Sequence, residues 1–134
     1  MRLGYIAFAI AAVTMAACSR TVDQEQLVAN TALLYCQYLI DGKYDDFVAG
    51  IDQRVEPAAG YAEQLRANAK MFVAAQAKTR GGVVGINVTG AEVSPEEHTA
   101  AAYILLHYAD STKEQVVLPM VERDGVWFMR GLTV

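Results

Sequence analysis

Histidine, cysteine and basic residues are all scarce in this chain, and each scarcity removes a class of function. His98 and His107 are the only histidines, and Cys18 and Cys36 the only cysteines. They stand at no metal-ligand spacing, so no metal centre is expected. Eleven Lys and Arg against fifteen Asp and Glu leave a net charge of −4 and a pI near 5.1. Without a basic stripe interleaved with aromatics, nothing is available to hold a phosphate backbone, and no nucleic-acid partner is expected. The glycines of RGGVVG (80–85) follow a helical stretch and open a strand, the reverse of a phosphate-binding loop, and no cofactor motif stands elsewhere. Internal repeats, linkers and low-complexity tracts are absent, and 134 residues suit one domain.

What the chain does have is apolar residues, 54% of the total, part of them in an N-terminal leader. MRLGYIAFAIAAVTMAAC places Arg2 before an apolar core from Leu3 to Val13 and small residues Ala16 and Ala17 before a cleavage point. The run is too short for a span of roughly 20 apolar residues. Met15-Ala16-Ala17-Cys18 resembles a bacterial lipobox, with Met15 in place of the usual Leu. The resemblance implies a signal peptide over 1–17 and lipidation of Cys18. A short tether over 18–22 would then hold a domain over 23–134 close to the membrane. Ser19 after the cysteine resembles the outer-membrane sorting pattern, which implies an exported lipoprotein, periplasmic or surface-exposed. The competing reading is an ordinary signal peptide with a cysteine near its cut. With Cys18 carrying lipid, Cys36 in LLYCQYL has no disulfide partner and is expected to be a buried, inert thiol.

Beyond the tether, periodicity predicts a helix over Asp23–Ile40. Asp23 and Gln26 would cap it, Val28, Ala32, Tyr35 and Leu39 form one face, and Gly42 ends it. A short helix over Asp45–Ile51 offers Phe47, Val48 and Ile51 to the core. Pro57 opens a third helix from Ala58 to about Thr79, with Tyr61, Leu65, Ala69, Phe72 and Gln76 along one face. Four strands follow. VVGINVTGAEVS (83–94) alternates through Val84, Ile86 and Val88, and Gly85 and Gly90 mark bends or bulges. TAAAYILLHYA (99–109) is the central strand. QVVLPMVE (115–122) and VWFMRG (126–131) are joined by the Asp124-Gly125 turn, and Pro119 predicts an edge or a bulge.

Helices followed by an antiparallel sheet give an α+β domain with the helices on one face. LLYCQYLIDGKYDDFVAGI, TAAAYILLHYADST and LPMVERDGVWFM resemble the NTF2-like cone fold, and within it small bacterial lipoproteins with a DUF4878-like domain. The resemblance implies a curved sheet of about four strands wrapped by helices, an envelope location, and no assigned activity. It also assigns faces. Ala100, Ala102, Ile104, Leu106 and Tyr108 would point inward, joined across the last hairpin by Leu118, Met120, Trp127 and Met129. The candidate pocket in the cone is then lined by Tyr35, Tyr38, Phe72, Leu106 and Trp127. Ala101, Tyr103, Leu105, His107, Val117, Val121 and Phe128 fall on the outer face, which should be polar if it faced water. An apolar patch of this extent usually marks an interaction surface, and NTF2-like domains often pair through their sheets. The alternative is a face covered by the chain's own tail, or a sheet that is simply apolar. Tyr103, Leu105, His107, Val117, Val121 and Phe128 are thus the candidate homodimer face.

Enzymes of this fold use an acid or base with Tyr or His inside the cone. The available groups are Tyr35, Tyr38, Tyr61, Tyr108 and Asp41, and Asp41 reads as a solvated turn residue while the tyrosines read as pocket wall. Asp45-Asp46 and Glu96-Glu97 are adjacent pairs that diverge, and no catalytic residue is assigned. Asn87-Val88-Thr89 matches the eukaryotic N-glycan acceptor, which the bacterial leader makes irrelevant. Asp110-Ser111-Thr112 resembles the O-glycosylation triplet of exported Bacteroidetes proteins, which a plain hairpin turn explains equally well. The expected function is a lipid-anchored, non-enzymatic envelope domain binding a small apolar ligand or a partner protein. The alternatives are a structural or accessory lipoprotein working through its outer sheet face, and an isomerase- or dehydratase-like enzyme.

Overall fold

The computed structural model describes residues 23–52 and 59–130. Helix α1 covers residues 23–40, α2 Tyr44–Ala49 and α3 Tyr61–Arg80. Strands β1 (Val83–Ser94), β2 (Thr99–Tyr108), β3 (Lys113–Arg123) and β4 (Val126–Met129) follow. The strands form one antiparallel meander in the order β1-β2-β3-β4. The leader, its cleavage point, Cys18 and the tether lie outside the described residues, as do Pro57 and Ala58. Among the described residues no helix is long and apolar enough to cross a membrane.

The core forms where two periodicities meet. Val28, Ala32 and Tyr35 stand at helical spacing on α1, and Ala102, Ile104, Leu106 and Tyr108 alternate along β2. Met120, Trp127 and Met129 join them from β3 and β4. Ile104, Met120 and Val28 are among the largest fully buried side chains. α1 ends in a Schellman arrangement, with Gly42 at φ 77° and the Lys43 N–H bonded to the Tyr38 carbonyl at 2.8 Å. Asp23 already lies within the helix, so it is not the cap expected of it, and Gln26 instead donates to Asn30 at 3.2 Å.

Three further expectations change in the fold. The second helix stops at Ala49 instead of Ile51, because residues 50–52 are drawn onto the edge of β4. Met129 N–H donates to the Gly50 carbonyl and Asp52 N–H to the Met129 carbonyl, each at 2.7 Å, and Ile51 bridges Met129 in parallel. Val84 does not share a face with Ile86: the β1–β2 register shifts between Val83 and Gly85, and again between Val88 and Gly90. Val84 is left 69% exposed, and the two shifts stand beside the glycines that predicted bends. Pro119 pairs with Ala101 inside an interior strand, without a shift. Its carbonyl accepts from Arg130 N–H at 2.9 Å, one residue past the end of β4. The proline has no N–H to return the second bond of that pair, and β4 ends at the residue before Arg130.

Tyr35 joins these parts. Its hydroxyl donates to the Trp127 carbonyl at 2.6 Å, and its ring lies so close to Gly50 that a Cβ there would stand 2.6 Å from Cδ1. Gly50→Ala is expected to destabilise the domain by about 1–3 kcal/mol through overpacking, read as a lowered urea midpoint. In a Tyr35→Ala background the same change should cost only ~0.5 kcal/mol, since the ring it strikes is gone. Equal penalties in the two backgrounds would contradict this contact.

Candidate functional site

The inner face of the sheet is covered unevenly. Beneath α1, the β2 and β4 side chains are sealed, whereas on β1 the inward-facing Ile86, Val88, Ala91 and Val93 are only half-buried. The uneven cover follows from how α3 is held. Its C-terminal turn is fixed to the sheet: Gly81 adopts φ 78°, and Ala109 N–H and Asp110 N–H donate to the Gly82 and Arg80 carbonyls at 2.9 and 3.1 Å. Arg80 lies 4.6 Å above the Tyr108 ring and 3.9 Å from Glu114. The N-terminal half leans on α2, where Arg66 stands 3.4 Å from Asp45 and Lys70 lies over Tyr44. Between these supports α3 buries only Ala69.

Of the candidate pocket residues, the fold brings Tyr35, Leu106 and Trp127 together in the buried cluster, with Tyr38 packed against it. Phe72 is not among them. It is 38% exposed and lies outside that cluster, because the inward stripe of α3 runs through Ala69, Val73, Gln76 and Arg80, with Phe72 on its flank. Trp127 Nε1 donates to Gln24 Oε1 at 3.2 Å, so its indole N–H, like its carbonyl, is engaged within the fold. Gln76 carries a polar signal that periodicity alone passes over: its Oε1 is buried with no hydrogen-bond partner among the described residues.

The interior disfavours charge. Burial pushes the Cys36 thiol up to about 11, and burial, with Tyr38 beside it, holds the Tyr35 phenol above its ordinary value. Tyr108 is raised by burial and by its bond to Glu114 at 3.0 Å. Among the described residues the buried set contains no polar or charged side chain, and no group of three His, Cys, Asp or Glu stands close enough for a metal ion. Asp41 is an exposed turn residue that accepts from Gln37. Tyr61 is half-buried at the first position of α3.

On the outer face, Tyr103, Leu105, His107 and Phe128 are half-buried and Val117 is 53% exposed. Val121 departs from its assignment to a partner surface: it is 7% exposed within its own chain and has almost no area left to bury. The face is also less apolar than its β2 residues imply. Tyr103 donates to Glu92 at 3.2 Å, and the charge of Glu92, then this bond, raises the phenol. His107 Nε2 lies 2.6 Å from Asn87 Oδ1. These partners come from β1, whose bulges made their facing unreadable from simple alternation. At the β2–β3 turn, Asp110 accepts from Thr112 N–H at 2.9 Å, and bonding from the Thr112 hydroxyl and amide lowers its carboxyl.

No protein-family model and no curated protein matches the chain. Solved structures do. A Campylobacter jejuni protein, crystallised at 2.00 Å and described as a "Putative NTF2-like transpeptidase", superposes with a TM-score of 0.62 at 16% identity. The match covers 80% of this chain and 96% of that one. The fold is thus NTF2-like: helices over a curved four-stranded antiparallel sheet.

The raised thiol has a pH consequence. Below the ordinary thiol value of 9.0, neither the folded nor the unfolded chain ionises Cys36. Between 9.0 and about 11 the unfolded chain loses a proton that the folded chain keeps, so stability falls as pH rises through that window. Denaturation midpoints of the native sequence should drop more steeply from pH 9 to 11 than those of Cys36→Val. At pH 8 alkylation of the folded thiol should run roughly a hundredfold below a free cysteine.

Proposed function

We propose that this chain is a lipid-anchored envelope protein whose NTF2-like domain binds a small apolar ligand in the cone and catalyses no reaction. The observation that carries this reading is the half-buried apolar inner face of β1 beneath a helix held mainly at its ends. Apolar surface left uncovered inside a concave fold is the usual material of a ligand site. The anchor rests on the leader and on Cys18, and the likeness to DUF4878-like lipoproteins supports the same location, most directly the outer membrane.

The absence of catalysis rests on the groups at hand. Acid–base chemistry needs a carboxylate or imidazole beside the substrate, whereas the interior phenols Tyr35 and Tyr108 are committed to Trp127 and Glu114. Transpeptidation, in the description of the Campylobacter protein, needs an activated nucleophile. Cys36 has the opposite tuning, with its thiol held at about 11 by burial.

The outer sheet face is the proposed surface for a second copy, centred on Tyr103, Leu105, Val117 and Phe128, with His107 at its margin. An accessory role through this face alone is the second reading, favoured by the exposure of Val117.

Native mass spectrometry of the mature chain carrying Cys18→Ser tests both. A dimer carrying additional mass that leaves on unfolding is the expected result. A species without added mass, unable to bind neutral apolar dyes, would remove the cone reading and leave the outer face. Tyr103→Lys should convert the dimer to monomer by placing a charge in the interface, and an unchanged solution mass would reject that interface.

A further inference from the structure

α1 is a surface helix without a charged face. From Gln26 to Ile40 it holds no Asp, Glu, Lys or Arg. Its exposed residues over that stretch are Gln26, Leu27, Asn30, Leu33, Leu34 and Gln37. Leu27, Leu33 and Leu34 are left 43%, 38% and 48% exposed. A helix that covers a core normally turns charge towards water, as α3 does with Glu63, Lys70 and Lys78. The amides among these residues are engaged locally, Gln26 donating to Asn30 and Gln37 to Asp41.

Helical spacing places this surface. With about 100° between successive residues, Asn30 is directed opposite the Val28, Ala32 and Tyr35 stripe that enters the core. Leu27 and Leu34 flank it on one side and Leu33 on the other, so the face points away from the sheet. Three apolar side chains grouped without charge mark a contact surface more than a solvated one.

The chain's own leader indicates what lies nearby. Only residues 19–22 separate Cys18 from Asp23, the first described residue of α1, a reach of at most about 18 Å even when extended. Acyl chains on Cys18 would hold the first turns of α1 close to the bilayer. A tether this short raises the local concentration of that surface, so that a weak contact stays occupied. The face also selects the lipid. It offers no cation to anionic head groups, and Asp23 and Glu25 in the first turn would be repelled by them.

We propose that the outer face of α1, centred on Leu27, Asn30 and Leu34, is the surface on which the anchored domain lies against a zwitterionic bilayer. This rests on the anchor reading above and is independent of cone binding. Because α1 covers the inner side of the sheet, pairing through the outer sheet face would point the two α1 faces in opposite directions. Docking on α1 and pairing through the sheet therefore compete, and a docked copy turns its outer sheet face to solvent.

The test uses the full chain as a bacterial host exports and processes it, reconstituted in phosphatidylcholine vesicles. It carries Cys36→Val and one NBD fluorophore on Asn30→Cys, whose emission rises as water is excluded. On vesicles the label should be about threefold brighter than on the soluble Cys18→Ser chain. A label on Lys113→Cys, where β3 begins at the other end of the sheet from Trp127, should not change. Leu27→Glu with Leu34→Glu, at two exposed positions, should bring the rise to within about 1.5-fold while the chain still floats with the vesicles, and melting curves confirm that this variant folds. A label on Asn30→Cys that stays dim on floating chains, or that grows brighter still on phosphatidylglycerol, would overturn the proposal and leave the anchor standing. So would equal brightening of the soluble chain with rising concentration, which would assign the face to a second copy. A chain that fails to float with vesicles would remove the anchor and the docking face together.

Discussion

The domain depends on one buried phenol. Tyr35 reaches from α1 to the Trp127 carbonyl on β4, and its ring fills the space that Gly50 leaves by having no side chain. The Gly50 carbonyl takes the Met129 N–H, and Asp52 returns a bond to the same residue. A four-residue strand would otherwise be a poor edge, with few ladder bonds and little area. Here it is clamped on one side by β3 and on the other by the chain leaving α2, and Arg123 closes over the junction with a contact of 3.1 Å to Asp52. Helix, connector and last strand are thus positioned by residues far apart in sequence, brought together by a group that could not be buried without an acceptor.

That clamp divides the interior. On the α1 side, side chains at period 3.6 meet side chains at period 2 and the contact is dry. On the α3 side, the helix is fixed by its C-terminal turn and its contacts with α2, and it passes over β1 without sealing it. On the sealed side the Tyr35 hydroxyl and the Trp127 indole N–H have partners within the chain, whereas Gln76 Oε1 has none among the described residues. The proposed binding surface and the sealed core would therefore occupy different halves of one small domain.

The sealed half was the readable one. The alternation through Ile104, Leu106 and Tyr108, the spacing of Val28, Ala32 and Tyr35, and the Asp124-Gly125 turn are local signals, and each agrees with the α+β arrangement found. What could not be read depended on tertiary pairing. Ile51 looks like one more apolar helix residue until the edge of β4 draws it out. Val84 and Ile86 share a face only if the strand has no bulge. Phe72 looks inward until the stripe of α3 is rotated by its anchorage at Arg80. Val121 is apolar whether its neighbours cover it or a second molecule does.

The two open margins of the sheet bear on how such a domain behaves among copies of itself. β1 forms one margin and breaks its register twice, at Val84 and Thr89. Among the described residues, the other margin is the stretch of β3 beyond the end of β4, from Lys113 to Leu118, with Lys113 and Gln115 exposed. Unpaired strands invite further strands, and kinks, proline and charge are the means by which that invitation is withdrawn. Where copies of such a domain meet edge to edge, these margins make strand-by-strand growth into aggregates unproductive.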